Sequence, residues 1–396
     1  MRASPLPEVV VVGAGIVGLS TAFQLASRGV RDVTIVERRH VGAGASGKSG
    51  AIIRTHYSNE PETRLALEGL RFFRSFGERV GVECRFDETG FLVFADPDDR
   101  DSLEANLGIQ AALGIPARII DPDELREIDP AVSVDDGAVV GYDPTAGVVD
   151  GMAACNAFAT ALGRLGVRIE LETTVTAIRH AGGRVTGVTT TAGDLDTDRV
   201  VIAPGGWAHA LLRPLGLDLP MMPATSRIAV FRWPHDRDHR HPVAIDHRHG
   251  LWLRPIFGEH TLLGAERGVR RQVADPDLAD ETIDQQYVEL CHEQLARRYP
   301  VMRHAVGRGG WTGLVMRSVD SRPIIGPFDG YEGLVGLVGD SGTSFKTAPA
   351  VGRALAELVT SGASEFDLAP FHASRFADGG RWVDPTETAP SASISR

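Results

Sequence analysis

Residues 8–37, EVVVVGAGIVGLSTAFQLASRGVRDVTIVE, decide the fold. Glu8–Val12 is a short apolar run read as a strand, Leu19–Arg28 has helical spacing, and Val33–Val36 is a second strand ending in Glu37. Between the first strand and the helix stand Gly13, Gly15 and Gly18. Gly13 allows a tight turn, Gly15 lets a pyrophosphate approach the backbone, and Gly18 lets helix and strand pack closely. The helix N-terminus favours the phosphate charge. An acid at position 37 suits ribose hydroxyls and disfavours a 2′-phosphate. A glycine spacing alone is weak evidence. With strand, helix and acid all in their required places, the stretch reads as a dinucleotide-binding βαβ unit.

The surrounding 396 residues are enough for two or three domains at roughly 100–200 residues each. With 43% hydrophobic and 23% charged residues, and no apolar run of the ~18 residues a span needs, the chain reads as a soluble globular protein without a membrane segment. A formal net charge of −11 argues against a nucleic-acid partner but leaves room for a local basic pocket that takes an anionic substrate. The N-terminal MRASPLPE lacks the apolar core of a secretion signal. Cys84, Cys155 and Cys291 lie far apart without CxxC spacing, which suits reduced thiols and a cytoplasmic setting. Nothing in the composition decides between monomer and oligomer.

Further helices are expected at Glu68–Val80, Asp101–Leu113, Asp123–Ile128, Gly151–Leu165, near Glu281–Arg298, and from Ala348 to about Thr360. Strands are expected at Val175–Ile178, Val185–Thr191, Val200–Ile202, Gly250–Arg254, Thr261–Leu263 and Gly333–Val338. The Pro/Ser/Thr-rich residues 384–396 read as a disordered tail. His235, His239, His241, His247 and His249 include His-X-His pairs of the kind that can hold a metal. Interleaved with Arg and Asp, they read instead as a solvated connection, and no metal site is expected.

A second glycine- and serine-rich segment, GASGKSGAIIRTHY at 44–57, follows the second strand. GLWLRP at 250–255, SRPIIGP at 321–327 and GLVGLVGDSGTSFKTAPAVG at 333–352 complete a pattern that spans nearly the whole chain. On these motifs the sequence resembles the D-amino-acid oxidase/glycine oxidase/sarcosine oxidase superfamily of FAD enzymes, and within it the sarcosine oxidase (beta-subunit-like) branch. The resemblance implies an α/β fold: a discontinuous Rossmann-type FAD-binding domain (1–85, 146–220 and 310–375) and a substrate domain with a mixed β-sheet (86–145 and 221–309). It implies cofactor contacts from Gly13, Gly15, Ile16, Val17, Gly18, Glu37 and Arg38. Further contacts would come from Ala45, Ser46, Ser49, Gly50, Ala51 and Ile52, from Val175, Gly205 and Trp207, and from the loop Gly339, Asp340, Ser341, Gly342, Thr343, Ser344, Phe345 and Lys346. Backbone N–H groups of that loop and the helix after it would favour negative charge on a reduced flavin.

The same resemblance places Arg54 and Lys346 as a clamp on a substrate carboxylate, a guanidinium fork assisted by a point charge. Glycine and D-amino-acid oxidases use an arginine elsewhere, at a position that here is Val315. The cysteine that tethers flavin in monomeric sarcosine oxidases falls at Gly313, so FAD is expected to be non-covalent. Their oxygen-activating lysine falls at Leu262, an active-site histidine at Glu266, and an arginine above the flavin at Ala51. Glu266 either meets a second amino group on the substrate or pairs with Arg267, Arg270 or Arg271. His56 and Tyr57 either face the pocket or pack in the core, and so does Arg254. The expected reaction is hydride transfer from the carbon next to nitrogen of a small amino-acid-like carboxylate to flavin N5, with O2 or another acceptor regenerating the cofactor. Oxidation of a 2-hydroxy acid, a dehydrogenase using another acceptor, and a flavin-binding subunit of a larger complex remain open.

Overall fold

In the computed structural model, residues 8–134, 137–234, 240–256, 259–265 and 271–383 are described. The βαβ unit forms as its spacing requires: strands Val9–Val12 and Val33–Val36 run parallel, with the helix Ile16–Ser27 between them. Gly13 adopts a φ of +103°, and a Cβ there would lie 2.5 Å from the Ala203 carbonyl oxygen. A Cβ on Gly18 would lie 2.0 Å from the Gly13 carbonyl oxygen, so only glycine lets the helix sit this close to the turn. These strands are central in a six-stranded sheet ordered Ile324–Pro327, Leu334–Val338, Val200–Ile202, Val9–Val12, Val33–Val36 and Arg168–Glu170. All neighbours pair in parallel except Ile324–Pro327, which turns back antiparallel along one edge.

The second large element is an eight-stranded mixed sheet, ordered Val306–Ser318, Met221–Arg232, His260–Ala265, Leu251–Ile256, Val243–Asp246, Phe91–Ala95, Val139–Asp143 and Arg118–Ile120. One pairing is parallel, between Val243–Asp246 and Phe91–Ala95. Alternation along the strands gives the sheet two different faces. Ala229, Phe231, Leu253 and Leu263 pack with Tyr287, Cys291 and Leu295 of the helix Gln285–Arg298. Their neighbours Ile228, Trp252 and Ile245 point the other way, into a cavity against the six-stranded sheet. The boundary expected at residue 310 falls inside the strand Val306–Ser318.

The structure departs from the sequence reading in two places. The last long helix is Ser344–Ser361, not Ala348 onward. The helix begins about one turn earlier, takes in Lys346 and has Pro349 inside it. The stretch read as a solvated histidine connection contains the fully buried strand Val243–Asp246. There His241 is buried, with Nδ1 at 2.8 Å from the Pro242 carbonyl oxygen and Nε2 at 2.9 Å from Thr261 Oγ1, and His249 bonds Asp246 at 2.8 Å. Polar residues on both sides of a three-residue apolar run, Val243–Ile245, hid a buried strand. His235, His239, Glu266, Arg267, Arg270 and the tail 384–396 lie outside the described residues. No helix among the described residues is long and apolar enough to cross a membrane.

Candidate functional site

A cavity of about 570 Å³ opens at the carboxyl ends of the parallel strands, facing the large sheet. This is where open α/β sheets take their ligands. Every residue expected at the cofactor lines it except Gly18, which serves the helix packing described above. Segments 13–17, 36–39, 43–54, 173–176, 203–207 and 337–346 reach the cavity from the six-stranded side, and Ser226, Ile228, Ile245, Trp252 and 313–315 from the large sheet.

At one end Glu37 is buried, and backbone amides hold both its carboxylate oxygens: Ala14 N at 2.8 Å and Arg39 N at 2.9 Å. The carboxylate is thus fixed in orientation, with lone pairs left over for a hydroxyl donor. The Ser46 hydroxyl accepts from Ile16 N at 2.9 Å, which ties the second glycine segment to the first helix turn. A Cβ on Gly15 would come within 3.1 Å of that hydroxyl. Arg38 lies over the Trp207 ring, 4.6 Å from its centre.

At the other end, Gly339–Lys346 runs from the strand Leu334–Val338 into the helix Ser344–Ser361. Gly339, Ser341 and Gly342 all have positive φ, which bends the backbone around the cavity. Asp340 lines the cavity, and burial pushes its carboxyl up to about 6, against the Gly342 and Met316 amides and the Lys346 charge, which favour the ionised form.

Arg54 and Lys346, 292 positions apart in the chain, are brought onto one aromatic ring. The Arg54 guanidinium lies 5.1 Å and Lys346 Nζ 5.2 Å from the centre of the Tyr57 ring. Both cations are buried and both line the cavity. Arg54 donates to the His56 carbonyl, and Lys346 to the Thr343 carbonyl at 3.1 Å. The face of an aromatic ring attracts a cation and helps to hold both groups in place. They can meet a carboxylate entering the cavity.

His56 and Tyr57 do not line the cavity. His56 Nδ1 lies 3.2 Å from Gln110 Oε1, and Gln110 donates to Thr55, which donates to Asp143. Arg254 is also absent from the lining: it donates to the carbonyls of Gly50 and Val149, both at 2.7 Å, and so ties the large sheet to the second glycine segment. Burial lowers its guanidinium to about 10. A Cβ on Gly313 would be in ordinary contact with Lys48 Cβ at 3.5 Å, and Val315 presents an apolar wall. Leu262 pairs with Val230 and Arg254 and does not line the cavity. The sequence reading missed Ile245, Trp252 and Asp277. The first two have a signal in strand alternation. Asp277 has none, because its contacts are to Arg38 and Trp207, remote in sequence.

The sequence model of the FAD dependent oxidoreductase (DAO) family matches residues 8–358. The chain belongs to this family. Its relatives include a glycine oxidase of Pseudomonas aeruginosa, 30% identical over 373 residues that cover 92% of this chain and 98% of that one. Another is a sarcosine oxidase subunit beta of Rhodobacter capsulatus, 27% identical, covering 95% and 92%. Among solved structures, L-proline dehydrogenase from P. horikoshii superposes with a TM-score of 0.88 at 26% identity, covering 96% of this chain and 100% of that one. The protein is an FAD-dependent oxidoreductase. Its residues fit the cofactor: a glycine turn at a helix N-terminus, a buried carboxylate held by two amides, and one continuous cavity that leads from them to the two buried cations.

Proposed function

We propose that the protein oxidises the carbon–nitrogen bond of a small amino acid or N-alkyl amino acid, with FAD held non-covalently and the carboxylate held by Arg54 and Lys346. The observation that carries the reading is that these two buried cations converge on the Tyr57 ring and both line the cavity that the glycine motifs line. Bound FAD supplies the acceptor for a hydride. Arg54 and Lys346 fix the substrate through its carboxylate, so that only rotation about the remaining bonds must be restricted. Their charge also disfavours an ammonium close by and so favours the neutral amine, whose lone pair drives hydride loss. The carbon loses a hydride and the nitrogen a proton. Water then adds to the imine, giving a carbonyl compound and the amine or ammonia. Ile52, Ile245 and Trp252 line the same cavity with apolar surface that excludes water from the reacting carbon. The FAD-binding part is assigned to 1–85, 146–220 and 310–375, and the substrate part to 86–145 and 221–309, whose sheet continues through Ser318.

Glycine, sarcosine and proline, the substrates in the names of the relatives, share this carboxylate and amine. A relative that is a subunit supports a second reading, catalysis within a larger assembly. The test is anaerobic mixing of the purified yellow protein with glycine, sarcosine or L-proline, and separately with matched 2-hydroxy acids, while the flavin absorbance is followed. Bleaching by an amine is expected. Bleaching by hydroxy acids alone would overturn the amine assignment, and no bleaching by either would favour the subunit reading. Acid treatment should release intact FAD to the supernatant; flavin retained on the precipitate would refute non-covalent binding.

A further inference from the structure

We propose that residues 271–284 form an acidic strap that closes the adenosine end of the cavity and slows the release of FAD, with Asp277 and Glu281 as its positioning residues. The inference rests on the FAD reading above. Five carboxylates and one cation fall within this segment: Asp275, Asp277, Asp280, Glu281 and Asp284 against Arg271. Opposite it, the end of the second βαβ strand and the second glycine segment present Arg38, Arg39 and Lys48, all lining the cavity.

The strap is anchored on the large sheet. Thr225 N donates to the Arg271 carbonyl at 2.8 Å, Val273 N to Pro223 at 3.0 Å, and Thr312 N to Glu281 at 2.8 Å. From this base its middle crosses to the dinucleotide-binding side. Asp277 Oδ1 accepts from Trp207 Nε1 at 2.7 Å and pairs with Arg38 at 2.7 Å. Arg38 is thereby held over the Trp207 ring, one residue beyond the Glu37 position assigned to the ribose. Glu281 pairs with Lys48 and, at 3.3 Å, with Arg39. Its carboxyl is held below the usual range, chiefly by the Lys48 hydrogen bond. Asp277 itself lines the cavity. One exposed ion pair contributes little. Here two carboxylates engage three cations and an indole from separate segments, so they act as one latch, and FAD leaving by this end must part them.

The decisive measurement is the rate at which FAD leaves the purified holoprotein, followed by ultrafiltration after dilution, for wild type and for the double variant Asp277→Asn/Glu281→Gln. About tenfold faster release is expected, equivalent to about 1.4 kcal/mol. In 1 M salt, where the screening length falls to about 3 Å, wild type should approach the variant while the variant changes little. Asp277→Glu should restore most of the retention, since it keeps the charge. Unchanged release, with the thermal midpoint of the FAD-free protein also unchanged, would overturn the strap. Slower release would overturn it too, by showing that the carboxylates compete with the diphosphate for the same cations. If wild type holds no FAD at all, the cofactor reading itself fails, and the strap fails with it.

Discussion

Replacing Asp340 with Asn isolates a single half-buried carboxyl at the cavity wall whose ionisation the fold opposes. Burial raises it from 3.8 to about 6, and it does so even though the Gly342 and Met316 amides and the Lys346 ammonium pull the other way. The folded chain therefore binds this proton more tightly than the unfolded chain does. Below about pH 4 both states hold it, so Asp340 makes no difference between them; from about 4 to 6 stability falls as pH rises, and above 6 the loss is complete. A displacement of about two units corresponds to roughly 3 kcal/mol, reduced to the extent that water in the cavity solvates the carboxylate. Asparagine keeps the shape and an acceptor oxygen for the two amides but cannot ionise. At pH 8 the variant should then exceed wild type by up to about 3 kcal/mol, and near pH 4.5 by much less. Urea unfolding of FAD-free wild type and variant, side by side from pH 4.5 to 8, measures the difference directly. A difference that does not grow with pH would refute the argument, and a variant less stable than wild type at pH 8 would show that the carboxylate makes favourable contacts outweighing its burial.

Arg54→Ala and Lys346→Ala should each lower kcat/KM with FAD still bound, by a factor corresponding to roughly 2–5 kcal/mol for a buried charge left unmatched; steady-state kinetics alongside the flavin absorbance check this, and unchanged kinetics in both would remove the clamp. Gly15→Val should abolish FAD retention, because a branched Cβ would crowd Ser46 Oγ and the space a diphosphate needs; a folded, fully yellow variant would contradict it. Gly69→Ala should destabilise the protein by about 1–3 kcal/mol and also weaken substrate binding, because its Cβ would fall 1.8 Å from the Lys346 carbonyl oxygen. Thermal midpoint and KM read together test this, and a fall in stability with KM unaltered would show that the helix adjusts without moving Lys346.

What the sequence disclosed and what it hid follow from the range of the interactions. The βαβ unit was legible because its strands, glycines and Glu37 lie within thirty residues and each answers a local steric or electrostatic demand. The Gly339–Lys346 loop was legible only through its likeness to a known motif, since nothing in local spacing says that it lies at the same end of one sheet as Gly13. The last helix begins at Ser344 rather than at Ala348, with Pro349 inside it. The buried strand Val243–Asp246 was lost because His241 and His247 look like surface residues, whereas a hydrogen bond to Thr261 and burial among neighbouring strands accommodate the first of them. Asp277 was invisible because its partners Arg38 and Trp207 meet it only after the two sheets have closed on each other.

The helices explain how one fold would set the distance between the proposed cofactor anchor and substrate clamp. The helices Ile16–Ser27 and Ser344–Ser361 both begin at the cavity, the first behind Gly15 and the second at the residues leading to Lys346. Their positive N-terminal ends therefore face the same ligand space, one toward a diphosphate and the other toward negative charge near Lys346. They are locked to each other by a close approach: a Cβ on Gly352 would lie 2.5 Å from Ser20 Oγ and 2.8 Å from Thr21 N. The helix Glu60–Arg74 closes on the second of them through Gly69 at the Lys346 carbonyl, and the same segment of chain leads back through Tyr57 to Arg54. Lys346 is thus placed by backbone against backbone on two sides, with no flexible loop between it and the helix that anchors the cofactor. On the proposed roles, a shift large enough to take Lys346 off a substrate carboxylate would have to part the pair of helices that would also hold the diphosphate, so cofactor binding and clamp geometry would be coupled through Gly352 and Gly69.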